Sequence, residues 1–122
     1  MKPHKVLIVE DNELNMELIT DVLTFAGFEI VTAGNGTQAL EIAASARPDI
    51  VLMDVQLPGM DGLEATRKLK ANPETASIPV VAITSHAMKN EREAALEAGC
   101  AGYFPKLIDV STLAENLKKF LP

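Results

Sequence analysis

Five short apolar blocks, each followed by a stretch of helical spacing, constrain this chain more than any other feature. Val6-Leu7-Ile8-Val9 and Ile50-Val51-Leu52-Met53 are uninterrupted runs of four residues, the pattern of strands buried on both faces. Phe28–Ala33 is rich in β-branched residues and reads as another strand. Ile78–Thr84 carries Pro79 near its beginning, where a missing N–H is tolerated. Ala101–Phe104 is a short fifth. Leu14, Leu18, Val22 and Ala26, flanked by Ile19 and Leu23, have helical spacing, and Gly27 stands where that helix would stop. Asn35-Gly36 is a turn signal before an alanine-rich helix over Thr37–Ala46. Leu57–Gly62 is a loop by composition, and Leu63–Ala71 is a third helix. Met88–Ala98 is a polar helix ending at Gly99. Val110, Leu113, Leu117, Phe120 and Leu121 form the apolar face of the last, with Asp109 or Ser111 as candidate cap. Strands joined by helices in this order predict an α/β fold, a doubly wound parallel sheet with right-handed crossovers.

The length of 122 residues suits one compact domain, and 48% hydrophobic residues supply its core. No apolar run approaches the roughly 18–20 residues that span a bilayer. The basic start, Met1 to Lys5, is followed by Glu10 and Asp11 with no signal-peptide pattern. A cytoplasmic protein without membrane insertion is expected. The formal charge of −6 argues against direct nucleic-acid binding, which needs clustered Lys and Arg. The single cysteine, Cys100, makes no internal disulfide and reads as a small packed apolar residue. The chain ends two residues after Phe120, so one domain over 1–122 is expected, with no output domain after it.

In an open parallel sheet, sites form beyond the carboxyl ends of the strands. The first strand ends at Glu10-Asp11, the third at Asp54, the fourth at Thr84-Ser85 and the fifth at Pro105-Lys106. Three carboxylates, a hydroxyl and an ammonium therefore collect on one edge. Carboxylates gathered so closely repel one another unless a cation is present. An all-oxygen donor set with few protein ligands suits Mg²⁺, which keeps waters and shares phosphates. Singly, each residue has a plainer reading: Asp11 as a helix cap, Thr84 as a strand-end hydroxyl, Lys106 as a solvated charge. Together they suit holding a divalent ion beside a phosphoryl group.

The motifs Val6–Asn12, Asp49–Asp54, Leu57–Gly62, Ile78–Thr84 and Gly99–Lys106 resemble the receiver domains of two-component response regulators. The likeness covers the whole chain, in order and spacing, and is nearest to single-domain regulators of the cell-division type and to receivers attached to hybrid kinases. It implies a flavodoxin-like sheet of order 2-1-3-4-5 with five helices. It implies that Asp54 is the phosphoacceptor, taking a phosphoryl group from a sensor histidine kinase or a histidine phosphotransfer protein. Glu10, Asp11, Asp54 and the Gln56 carbonyl would hold Mg²⁺. Thr84 would hydrogen-bond one phosphoryl oxygen and Lys106 would pair with another. Thr84 and Tyr103 would form the switch, reported to a downstream protein through the fourth helix, fifth strand and fifth helix. The protein would be no enzyme beyond its own phosphorylation and slow autodephosphorylation.

Receivers commonly carry a cis proline directly after the lysine. Here Leu107 follows Lys106 and Pro105 precedes it. A cis bond before leucine would cost about 2.5–4 kcal/mol, so a trans peptide or a reshaped loop is expected. His86, two residues beyond Thr84, would stand at the rim of the site as an exposed histidine or as a group tuning acyl-phosphate hydrolysis. A degenerate receiver acting only as a binding module is the runner-up, disfavoured by the complete set Asp11, Asp54, Thr84 and Lys106. An aspartyl-nucleophile phosphatase would need an acid two residues after Asp54, where Gln56 stands. A flavodoxin-type FMN carrier would need a glycine- and hydroxyl-rich loop in place of Glu10-Asp11.

Overall fold

The computed structural model describes residues 3–84, 89–105 and 111–121. Among these, the elements run β1 (Lys5–Val9), α1 (Glu13–Phe25), β2 (Glu29–Ala33), α2 (Gly36–Ala46), β3 (Ile50–Asp54), α3 (Gly62–Ala71), β4 (Val80–Thr84), α4 (Lys89–Ala98), β5 (Gly102–Pro105) and α5 (Leu113–Lys118). The strands form one parallel sheet in the order β2-β1-β3-β4-β5, as expected.

The alternation of side chains along each strand divides the core into two layers. Leu7, Val9, Val51, Met53, Val80 and Ala82 pack with residues of α2, α3 and α4. Val6, Ile8, Ile50, Leu52, Val81 and Ile83 pack with residues of α1 and α5. Both faces are covered, which is why β1, β3 and β4 are apolar almost throughout. No helix among the described residues is long and apolar enough to cross a membrane.

The first three helices start on side-chain caps. Asn12 Oδ1 accepts from the Asn15 N–H at 3.0 Å, Asn35 Oδ1 from Gln38 at 2.9 Å and Asp61 Oδ1 from Glu64 at 2.8 Å. Asn35 is thus the cap of α2 and Gly36 its first residue, and not only a turn. At α5 the cap position is Thr112, without a side-chain cap bond; Asp109 lies outside the described residues. Strand β4 begins at Val80, because Pro79 contributes only its carbonyl, to Val51 N–H at 2.9 Å. Strand β5 starts one residue later than expected and reaches Pro105.

The largest correction concerns α1. Leu14 and Leu18, which carry the helical spacing together with Val22 and Ala26, are 77% and 51% exposed, whereas the flanking Ile19 and Leu23 fill the core. Phe25 is also exposed. The helix has more apolar residues than one buried stripe needs, so the spacing defined a period and not its phase.

Candidate functional site

Val9 pairs with Met53 in the register of β1 and β3, so the residues that follow, Glu10 and Asp54, emerge side by side. Oxygens of Glu10, Asp11 and Asp54 lie within 4.8 Å of one another. Glu10 and Asp54 are buried and Asp11 is exposed. The backbone folds back on both buried carboxylates in the same way. The Asn12 N–H donates to Glu10 Oε1 at 3.1 Å, and the Gln56 N–H donates to Asp54 Oδ1 at 2.9 Å. Each turn orients its carboxylate. Asp11 is not the cap of α1; Asn12 has that role. Asp11 is therefore available to the cluster.

Two buried acids beside a third make an oxygen-only donor set of the kind that hard divalent cations take. A groove of about 480 Å³ runs from this cluster along Glu13, Glu17 and Asp21 of α1. The charged residues lining it among the described residues are all acidic.

Thr84 ends β4, the strand beside β3, and is buried. Its hydroxyl donates to Glu91 Oε2 at 3.3 Å. Tyr103 on β5 pairs with Ala82 of β4 and is partly buried. The Arg92 guanidinium carbon stands 5.0 Å from the centre of its ring, within cation–π range. Thr84, Gln56 and Glu91 share the walls of a cleft of about 310 Å³ with Val55 and Leu63. The structure thus gathers Glu10, Asp11, Asp54 and Gln56, with Thr84 one strand away and Tyr103 one strand further. Lys106, the Lys106-Leu107 peptide, His86 and Met88 lie outside the described residues.

Sequence reasoning missed Glu91 and Arg92. The only signal was a pair of charges in the first turns of a polar helix, which elsewhere marks a solvated face.

Cys100 is buried, as expected, but it has polar neighbours. Its thiol lies 3.9 Å from Thr66 Oγ1, whose own proton goes to the Gly62 carbonyl at 2.8 Å. Burial pushes the Cys100 thiol pKa up, against smaller opposing effects of Thr66 and Lys70. Burial lowers the Lys70 pKa, with Cys100 acting the other way. Lys70 Nζ donates to the Ala76 and Ile78 carbonyls at 3.1 and 2.5 Å. These contacts tie α3 to the segment before β4 and lie away from the carboxylates.

The sequence model of the response regulator receiver domain matches residues 6–118. The chain is 45% identical over 119 residues to the polar-differentiation response regulator DivK of Brucella anthropi, covering 98% of this chain and 97% of that protein. The structure of chemotaxis protein CheY4 of Vibrio cholerae superposes with a TM-score of 0.93 at 28% identity, covering 98% and 99% of the two chains. The receiver domain of the sensor histidine kinase PA1611 of Pseudomonas aeruginosa superposes with a TM-score of 0.89 at 33% identity over 97% of each chain. That domain was solved with a magnesium ion coordinated in its active-site cleft. With the carboxylate cluster at the ends of β1 and β3, these likenesses make the chain a member of the response regulator receiver domain family.

Proposed function

We infer that this protein is the phosphoacceptor of a two-component phosphorelay, with Asp54 as the residue modified. The observation that carries the reading is the Glu10–Asp11–Asp54 cluster, with Asp54 fully buried at the end of β3. In the reaction, an Asp54 carboxylate oxygen bonds to the phosphorus of a partner's phosphohistidine. The P–N bond breaks, and its electron pair stays with the imidazole nitrogen, which takes up a proton. The Gln56 N–H on Asp54 Oδ1 fixes the carboxylate's rotation.

Glu10, Asp11, Asp54 and the Gln56 main-chain carbonyl are the residues that would hold Mg²⁺. Bound there, the ion supplies positive charge to the phosphoryl oxygens and offsets the repulsion among the acids. The PA1611 receiver, 33% identical, supports this choice of ion. Thr84 donates to one phosphoryl oxygen, Lys106 pairs with another, and Tyr103 follows Thr84 inward. The donor is a sensor histidine kinase or a histidine phosphotransfer protein in the cytoplasm. The message passes to a downstream protein through α4, β5 and α5. The whole segment 1–122 acts as one receiver unit.

The test is intact-mass analysis after incubation with acetyl phosphate. With Mg²⁺ the chain gains about 80 Da, the mass of one phosphoryl group, and excess chelator prevents the gain. Uptake unaffected by the chelator would contradict the reading.

A further inference from the structure

We propose that Glu91 is a positioning residue for the switch: its carboxylate holds the Thr84 hydroxyl in the unmodified chain, and the phosphoryl group on Asp54 must take that hydroxyl from it. The proposal rests on the reading of Thr84 as the group that senses the phosphoryl. Thr84 Oγ1 donates to Glu91 Oε2 at 3.3 Å. A hydroxyl has one proton. It serves a carboxylate or a phosphoryl oxygen, not both. Both acceptors are anionic, so the two contacts compete as like against like. At 3.3 Å the contact is longer than the roughly 2.5–3.0 Å usual for O–H···O, so the hold is weak and readily reversed. Thr84 is 3% exposed, so the contact is shielded from water.

A second contact places the same helix on the other switch residue. Arg92, next to Glu91 in α4, covers the Tyr103 ring at 5.0 Å. Consecutive residues of α4 therefore grip the two side chains that are read as moving together. The cleft beside Glu91, about 310 Å³ and lined otherwise by Val55, Leu63 and Ala94 among others, leaves room for the carboxylate to withdraw. Glu91 thus sets how strongly a phosphoryl group must pull before the output face changes.

The chain reports on itself, because Tyr103 is its sole tyrosine and it has no tryptophan. Acrylamide quenching of tyrosine emission therefore reads Tyr103 alone. The experiment titrates the parent, Glu91→Gln and Glu91→Ala with beryllofluoride, a phosphoryl mimic, at fixed Mg²⁺, after thermal melts of each. In the parent, quenching falls as the mimic binds. Glu91→Ala shows part of that fall without the mimic and reaches half-change at about fivefold lower concentration, the ratio expected for one modest hydrogen bond. Glu91→Gln, a neutral acceptor of the same shape, lies between. If the parent responds while both variants start from the parent's quenching and need equal or more mimic, the Glu91 latch is wrong and the Thr84 reading stands. If the parent does not respond, the Thr84–Tyr103 coupling fails and the latch fails with it. Should Glu91→Ala not fold, an unshifted Glu91→Gln midpoint overturns the proposal.

Discussion

A methyl group on Gly62 would lie 2.1 Å from the main-chain oxygen of Asp54, so α3 begins directly against the backbone that presents the carboxylate. The Gly62 N–H also donates to the Val55 carbonyl at 3.0 Å, which closes the β3–α3 loop onto the strand end. Backbone has no rotamer with which to yield. Gly62→Ala is expected to lower stability by about 1–3 kcal/mol and to slow phosphoryl uptake by moving Asp54. Urea unfolding beside the uptake rate checks both. Parent-like values for the two would mean that the loop relaxes without displacing the carboxylate.

Asp11 is the exposed member of the carboxylate cluster and does not cap a helix. Its removal should cost ligand strength with little effect on folding. Asp11→Ala is expected to weaken Mg²⁺ binding by on the order of tenfold or more, read from NMR shifts near Asp54 during titration. Equal affinity in parent and variant would remove Asp11 from the metal site.

Thr84→Ala separates sensing from attack, because the hydroxyl does not bond to phosphorus. Phosphoryl uptake should persist, slowed by the loss of one donor to the phosphoryl oxygens, while the Tyr103 quenching change is lost. A full Tyr103 response in the variant would route the switch through another element.

The Cys100 pKa is raised by burial, so the folded chain keeps the thiol proton at a pH where the unfolded chain has lost it. The unfolded state then binds fewer protons, and stability falls as pH rises above the ordinary thiol value of 9.0 and through the higher folded one. Lys70, its pKa lowered by burial, acts in the opposite sense as pH rises towards 10.5, but it is present with or without the thiol. The stability difference between parent and Cys100→Ala should therefore move in favour of the variant as pH climbs above 9.0. Chemical denaturation of both proteins across that range measures it. A difference independent of pH would mean that the thiol titrates alike in the two states.

The sheet was legible because β1 and β3 are so continuously apolar that both faces must be covered, and the helical stretches between the strands supply that cover in a parallel sheet. The carboxylates were legible for the same reason: a charge placed where such a strand ends is costly unless it has work there. The phase of α1 was not. Leu14–Leu18 and Ile19–Leu23 have the same spacing, and the choice between them is made by which side of α1 meets Val6 and Ile8. Glu91 was illegible because its contact with Thr84 depends on where α4 starts in space. The close approach of Gly62 to Asp54 was hidden in a loop whose composition announces only a turn.

The account stands most directly on Asp54 as the acceptor. Its amide analogue matches the carboxylate in shape and lacks the nucleophilic oxygen, so Asp54→Asn should keep the parent's fold by circular dichroism. Both proteins are incubated with acetyl phosphate and Mg²⁺ and compared by intact mass, with the modified peptide then mapped. The account predicts an adduct of about 80 Da on the parent, mapped to Asp54, and none on Asp54→Asn. An undiminished adduct on the folded variant would contradict it.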